Sequence, residues 1–401
     1  MDALAEIEAL VAIENRWAGT EGERRAAEHL AGRLRSLGRE AELEPAIVRP
    51  DYPSTYVLHI ILALVGGAVS MRRPKLGAAA LVGTIVSAFG DSYARFHLLR
   101  RLTRRAVTHN VLSRDQTDGK PGVLVLLAHY DAAKTGWLFD PKALERRVRL
   151  GRRLGVDIGL FEPFTWSLLG LLALALLRAA GVPRRALSPA RIPPMLTLAA
   201  HVPLLLEVRA SAPVPGAADN ASGVATVLRL AERYGGRLRH YRVWVLFTGA
   251  EEGLLLGMRE WVRRHRHELE PRRTIFLNVD EAGYGTVRYA TNDGRDSDPS
   301  DRPSLLELCD EVREEDRAGR FGAQPMPQLG LAEGAVAAQH GFRAIRIACL
   351  PEPTFAPEYH RPTDTPDRLD RQAPERAFEF CLQLIERIDT RLGPRLAGPA
   401  R

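Results

Sequence analysis

From residue 219 onward the chain alternates helix-like and strand-like stretches so regularly that few architectures can accommodate it. NASGVATVLRLAERY (220–234) and EEGLLLGMREWVRRH (251–265) carry apolar residues at helical spacing. Between and after them, YRVWVLFTGA (241–250) and RTIFLNVD (273–280) are apolar, strand-like runs. Strands joined through helices pair in parallel, since a parallel connection needs a crossover of a dozen residues or more. Upstream, VLVLLA (123–128) has the unbroken apolar character of a central strand covered on both faces. The expected fold is therefore α/β: a doubly wound, mixed, mainly parallel sheet flanked by helices. Further helices are expected over 2–13, 23–37, 304–316, 334–339 and 373–390, with strands over 40–48, 110–112 and 343–350.

Two stretches break this rhythm. YVLHIILALVGGAVSM and LGAAALVGTIVSAFG are uncharged apolar runs of 16 and 15 residues joined by the basic turn RRPK. They read as a helical hairpin. Between Trp137 and Ala212 a basic segment, LERRVRLGRRLG, is followed by FTWSLLGLLALALL and IPPMLTLAAHVPLLLEV around PRRALSPAR, a second candidate hairpin. The expected organisation is a catalytic domain in three pieces (1–53, 106–136 and 213–401) with apolar insertions at 54–105 and 137–212.

Charge adds little to this reading. The formal net charge is +7, but basic residues are spread along the chain among 49 acids, which argues against nucleic acid as a partner. The three cysteines, Cys309, Cys349 and Cys381, form no CxxC pair and leave one over in any disulfide scheme, as expected of buried thiols in a reducing compartment. The first residues, MDALAEIEALVAIENRW, are acidic and amphipathic and show neither the basic nor the apolar region of a secretory signal.

Several polar residues stand where a core strand gives way to a loop. His129 and Asp131, two positions apart at the end of VLVLLA, point to the same face. A carboxylate next to a histidine can hold its second ring nitrogen and tune it as a metal ligand, although HxD alone also describes an ordinary core histidine. Asp219 and Asn220 precede a helix, as an N-cap would. Glu251 and Glu252 follow an apolar strand, where adjacent carboxylates repel unless a cation or separate roles relieve them; acids in a helix's first turn are the plainer reading. Asp280 ends TIFLNVD, and His360 lies in the proline-rich loop EYHRPTDTPD.

The combination says more than any member. Four of these groups fall at or after the carboxyl ends of expected parallel strands, where open α/β sheets build their sites. Histidines with carboxylates and no cysteine suit catalytic zinc or manganese, and a shared carboxylate permits two ions.

The ordered set AHYDA (128–132), ADNASGVA (218–225), GAEEGLLLG (249–257), NVDEAG (278–283) and YHRPTDTPDRLD (359–370) resembles the co-catalytic di-zinc aminopeptidases related to bacterial leucyl aminopeptidases. That family also contains glutaminyl cyclases and transferrin-receptor-like modules. GTEGERRAAEHLAGRLRSLG (19–38) is similar to the family's first helix. The resemblance implies a zinc-dependent exopeptidase holding two Zn²⁺, replaceable by Mn²⁺ or Co²⁺, and acting on peptides with a free N-terminus. It implies that Asp219 bridges the ions, that His129 and Asp280 complete one site, and that Glu252 and His360 complete the other. Glu251 is then the general base and Asp131 the residue that orients His129, with a cis bond between Asp219 and Asn220. A glutaminyl-cyclase-like acyltransferase, a carboxypeptidase and a non-catalytic binding module are the alternatives on this scaffold.

Two features depart from the family. Asp131 and Asp219 are 88 positions apart, with the second apolar stretch between them, and Glu333 in LGLAEGAVAAQHGF has no assignable role. The apolar runs, as helices, would reach roughly 21 to 26 Å against a hydrocarbon core of about 30 Å. Membrane association through the hairpins 56–90 and 164–208 is expected, with a soluble helical cap as the alternative. Six basic residues flank the hairpin turns and ten arginines the opposite ends, so the positive-inside bias places the catalytic part in the cytoplasm.

Overall fold

A computed structural model describes residues 1–115, 117, 119–155, 160–290, 303–326, 332–351 and 355–397. The chain forms two compact units. One comprises Met1–Val48, Ala106–Ala133 and Pro213–Arg401; the other comprises Arg49–Arg105 and Lys134–Ala212. The strands are β1 (Glu42–Val48), β2 (Ala106–Ser113), β3 (Gly122–His129), β4 (Tyr241–Thr248), β5 (Thr274–Val279), β6 (Thr286–Ala290), β7 (Gln324–Met326) and β8 (Arg343–Leu350). The helices are α1 (Ala3–Val11), α2 (Glu21–Ser36), α3 (Tyr52–Ser70), α4 (Pro74–Ser92), α5 (Pro141–Leu154), α6 (Glu162–Ala179) and the single turn α7 (Arg184–Leu187), then α8 (Ile192–Ala210), α9 (Ser222–Tyr234), α10 (Leu256–His265), α11 (Leu305–Glu315), α12 (Glu333–Gln339) and α13 (Ala373–Arg387).

In the first unit the strands form one sheet in the order β1-β2-β4-β3-β5-β8-β6-β7. The central strands β4, β3, β5 and β8 run parallel, while β1, β2 and β6 pair antiparallel toward the edges. The sheet is thus mixed and mainly parallel, with every residue of β3 buried. Alternation along the strands divides the core. Leu124, Leu126 and Ala128 of β3 join Leu277 and Val279 of β5 in a large cluster with α1, α2, α9 and α13. On β5 the intervening Phe276 packs edge-on against Trp261 of α10 and against Phe342 just before β8. Cys309, Cys349 and Cys381 are all buried in this unit as thiols rather than disulfides.

Local sequence accounts for most element ends. Thr20 caps α2 by accepting from the Glu23 amide, and Ser304 and Glu307 form a reciprocal capping box at α11. The expected helix over 251–265 begins only at Leu256. Ala250, Leu254 and Leu255 have positive φ, so Glu251 and Glu252 lie on a tight turn rather than in a helical first turn. Strands β6 and β7 are additions to the expected set.

Both excursions from this unit leave and return at a single place. Val48 and Ala106 face each other in the β1–β2 ladder, and the Val214 amide donates to the Ala133 carbonyl at 2.8 Å.

In the second unit α3, α4, α6 and α8 are helices of 18 or 19 residues. α3 exceeds its apolar run because Asp51 accepts from Ser54 and starts the helix just before Pro53, whereas α4, α6 and α8 gain their extra turns from proline-containing first turns with no side-chain cap hydrogen bond. Arg191 at the head of α8 reaches the Gly67 carbonyl near the end of α3, whereas Arg209 near the end of α8 pairs with Asp51 at the start of α3. The helices therefore run up, down, up and down, with both hairpin turns at one end.

Candidate metal centre

His129 ends β3, Glu251 and Glu252 follow β4, and Asp280 follows β5, so three neighbouring parallel strands deliver their polar ends to one edge of the sheet. Asp219 arrives from the turn before α9. Asn220 fixes that turn: its Nδ2 donates to the Val279 carbonyl at 3.0 Å, and its Oδ1 accepts the amides of Gly223 and Glu281 at 3.0 and 3.2 Å. A Cβ on Gly223 would lie 2.2 Å from Asn220 Oδ1, which explains the glycine of the D-N-x-S-G pattern. The Asp219–Asn220 peptide is cis.

The structure brings the expected residues together in overlapping groups. His129, Asp219 and Asp280 form one trio, and Asp219, Glu252 and His360 form another, with the donor atoms of each trio lying within 4.8 Å of one another. Asp219 belongs to both. Its Oδ1 is 3.2 Å from His129 Nε2, and its Oδ2 is 3.2 Å from His360 Nε2. His129 Nε2 is also 3.4 Å from Asp280 Oδ1, and His360 Nε2 is 3.3 Å from Glu252 Oε2.

A charged hydrogen bond between imidazole and carboxylate closes to about 2.7–2.9 Å. Ligand atoms placed tetrahedrally about 2.0–2.1 Å from a zinc ion stand roughly 3.3–3.4 Å from each other. The separations of 3.3 and 3.4 Å match the second pattern, and the two of 3.2 Å lie between the two. Glu252 Oε1 is buried and has no hydrogen-bond partner among the described residues. The donor set therefore fits divalent cations of the zinc type.

Each turn that carries a candidate ligand is held by a further charged residue. Asp131 accepts the amides of Glu251 and Glu252 at 3.0 and 3.1 Å. Its distance to His129 Nδ1 is 3.6 Å, so it acts on the imidazole through charge rather than through a hydrogen bond. Asp364, within the His360 loop, accepts the amides of Ala218 and Asp219 at 2.8 and 3.2 Å. Arg346 of β8 pairs with Glu281 at 2.6 Å and with Asp280 Oδ2 at 3.2 Å, leaving Asp280 Oδ1 toward His129. Glu23 of α2 accepts the Ala250 amide at 3.0 Å and the Thr108 hydroxyl at 2.5 Å. Ala250, Glu281 and His360, which are at or next to candidate ligands, have positive φ. Left-handed backbone at non-glycine residues costs free energy and gathers at functional sites.

Burial and mutual repulsion set the electrostatics. Glu251 is raised well above the usual carboxyl range by burial, with Asp280, Asp131 and Glu333 adding to the effect against His129. Glu252 is raised likewise, by burial and then by Asp219 and Glu251. Asp219 is lowered despite burial, because His129 and His360 both face it. Glu333 is completely buried, accepts the Thr248 hydroxyl and is pushed up to about 8 by burial. A cluster this rich in acid and this poor in water requires positive charge to remain ionised.

Asp364, Arg346 and Glu23 hold the site together without being among the residues expected from the sequence. An arginine inside the otherwise apolar run RAIRIACL was the available signal for Arg346. No local pattern marks Glu23, whose partners are distant in sequence.

Comparison with known proteins points to a peptidase family. A model of peptidase family M28 matches residues 188–385, a stretch containing Asp219, Glu251, Glu252, Asp280 and His360. Over that stretch, just under half of the chain, the sequence is similar to peptidase family M28. His129 and Asp131, in the AHYDA motif that carries the sequence resemblance, lie upstream of the matched stretch. A curated relative, the probable lipoprotein aminopeptidase LpqL of Mycobacterium tuberculosis, is 30% identical over 183 residues, covering 40% of this chain and 37% of the relative. The match thus spans little more than a third of that relative's length.

Solved structures share the fold. A Zn-dependent exopeptidase from Parabacteroides distasonis superposes with a TM-score of 0.56 at 14% identity, covering 96% of each chain. A zinc aminopeptidase from Bacillus subtilis gives 0.56 at 14%, covering 96% of this chain and 93% of the other. The Bacteroides thetaiotaomicron glutaminyl cyclase gives 0.55 at 13%, covering 96% of each.

Proposed function

We propose that the chain is a metallo-aminopeptidase that removes N-terminal residues from peptides, using two divalent ions, zinc in the first instance. The observation that carries this reading is the position of Asp219, which turns one oxygen to His129 and the other to His360. In this assignment Asp219 bridges, His129 and Asp280 complete one ion's ligands, and Glu252 and His360 complete the other's. When bound, such a pair supplies Lewis acidity, bringing the pKa of water down to about 7 and polarising a peptide carbonyl.

Glu251 acts as the general base. It sits beside Glu252 on the turn that Asp131 holds by two amides, and burial with neighbouring carboxylates raises its proton affinity. It takes a proton from the attacking water and returns it to the departing amine. Water oxygen joins the carbonyl carbon, the C–N bond breaks, and the products are a free amino acid and a shortened peptide.

The charge around the site favours a substrate ammonium over a carboxylate. Among the described residues, the buried cations near the acids are Arg346, engaged with Glu281 and Asp280, and Arg16, which donates to the carbonyls of Leu10, Tyr130 and Pro215. A carboxypeptidase needs a cation available for the C-terminal carboxylate. A glutaminyl-cyclase activity needs fewer ligands than the two trios supply.

The hairpins 56–90 and 164–208 support membrane association, and the arginine distribution favours a cytoplasmic catalytic part. The test of the activity is hydrolysis of a panel of aminoacyl and N-blocked chromogenic peptides, with and without chelator. Cleavage of free-amino substrates alone, abolished by chelator and restored by zinc, is expected. Cleavage that persists in chelator, or that prefers N-blocked peptides, overturns the reading.

A further inference from the structure

The helices α3, α4, α6 and α8 have an unusual distribution of polarity. A soluble four-helix bundle buries its apolar stripe and shows charge to water. Here the order is reversed. Val65 on α3, Val86 on α4, Leu176 on α6 and Leu196 on α8 are exposed by 54%, 51%, 54% and 64%. Polar groups point inward instead: buried His59 meets Ser87 at 2.9 Å between α3 and α4, and Tyr56 meets Ser92 at 2.5 Å.

Ionisable residues obey the same rule along the helix axes. α3 has no acidic or basic residue apart from His59. In α4 the charged residues are Lys75 and Asp91, in α6 Glu162 and Arg178, and in α8 Glu207 and Arg209, all within the terminal turns; α8 also carries His201 at its middle, with Nδ1 2.6 Å from the Thr197 carbonyl oxygen of the same helix. The charge-free middles align, because the helices alternate in direction and have nearly equal lengths. Each helix spans roughly 27–29 Å at 1.5 Å per residue, close to the thickness of a hydrocarbon core of about 30 Å. By length and composition α3 and α6 individually suffice to cross a membrane, whereas α4 and α8, equally long, are less apolar and would cross only as partners in the bundle.

Contacts between the helices fit the same solvent. A Cβ on Gly77 of α4 would come within 2.4 Å of the Ser70 backbone of α3, and one on Gly67 would meet Leu171 of α6. Small residues and interhelical hydrogen bonds are what hold helices together where lipid removes the hydrophobic drive for association. Basic residues crowd both ends: Arg72, Arg73, Lys75, Arg184, Arg185 and Arg191 surround the turns, and Arg101, Arg104 and Arg105 follow α4. These suit anionic headgroups on either side.

We infer that this unit is an integral membrane domain in which all four helices cross the bilayer as an inside-out bundle, with the two hairpin turns on one face of the membrane and the outer ends of the helices on the other. The inference rests on the membrane-association reading and goes beyond it, since an anchor lying in the interface would satisfy association alone. An even number of crossings returns each piece of the catalytic unit to the side it left.

The test combines fractionation of the full chain with single-cysteine accessibility in sealed vesicles. The native thiols are buried, so the background is low. R73C and S188C report the two turns, R104C reports the opposite end, and an impermeant maleimide is the probe. Retention in the pellet after alkaline carbonate, with R73C and S188C labelled from one face and R104C from the other at tenfold or greater selectivity, is the expected result. Membrane recovery that carbonate reverses, or labelling of all three from one face, overturns the crossing while leaving association intact. Recovery of the full chain in the soluble fraction overturns both. V86D, placing a charge on the outer face mid-helix, should lower membrane recovery severalfold; S87D, on the inner face, serves to separate loss of insertion from loss of helix packing.

Discussion

Asp131 Oδ1 accepts the backbone amide of Glu251 at 3.0 Å, so the residue that trails the candidate ligand His129 also anchors the candidate base. The same carboxylate takes the Glu252 amide through its other oxygen at 3.1 Å. One buried side chain thereby links the end of β3 to the turn after β4.

Removing that acceptor should weaken the turn first and the chemistry with it. Asp131→Ala leaves buried amides unsatisfied, each costing about 1–3 kcal/mol, whereas Asp131→Asn keeps one oxygen and should lose less. Urea denaturation at constant m-value would order the variants wild type, Asn, Ala. Equal stability of the three would show that the amides find other partners.

Glu251→Gln preserves the size and backbone of the residue while removing its ability to take a proton. The expected result is a fall in kcat of about 10²–10⁴ with metal content and melting temperature nearly unchanged. Turnover at the wild-type rate would remove Glu251 from the mechanism.

The sharing of Asp219 by the two trios predicts unequal effects on metal content. His360→Ala should lose one ion of the pair, and Asp219→Ala should lose both, because it strips a ligand from each site. Elemental analysis after exhaustive dialysis reads this directly. Full retention of metal in Asp219→Ala would rule out the bridging assignment.

Glu23 offers a pH-dependent test outside the candidate ligands. Burial pushes its pKa up to about 8, reinforced by Asp131 and opposed by the hydrogen bonds from Thr108, Gly19 and Ala250. Because the folded value lies above the unfolded value of about 4.5, its contribution to stability is complete below pH ~4.5 and is lost as pH rises through ~8. Glu23→Gln should carry a pH-independent cost and flatten that part of the stability profile by a few kcal/mol between pH 5 and 8. A wild-type profile already flat over that interval would contradict the raised pKa.

What the sequence made legible follows the range of the forces involved. The strands β3, β4, β5 and β8 and the helices between them are written in local periodicity, and the candidate ligands stand at their ends. The late start of α10 was hidden because Ala250, Leu254 and Leu255 adopt left-handed backbone without the glycine or asparagine that usually signals it. Glu23, Arg346 and Asp364 serve residues brought near only by the fold, and short-range pattern carries no trace of that. The hairpin helices are longer than their apolar runs because polar and proline-containing terminal turns, with the Asp51 cap at α3, extend them beyond what hydropathy marks.

The pairing of Val48 with Ala106, and of Val214 with Ala133, means that the apolar unit is spliced into the sheet unit like two clauses in parentheses. A two-residue turn after Val48 and a direct join from Ala133 to Pro213 would close the text without altering strand order. Such an excised chain reports whether the sheet unit keeps its fold and its metal without the apolar insertions. On the bilayer-crossing inference the chain's address is carried by those two insertions alone, with the sheet and its candidate ligands left as they were.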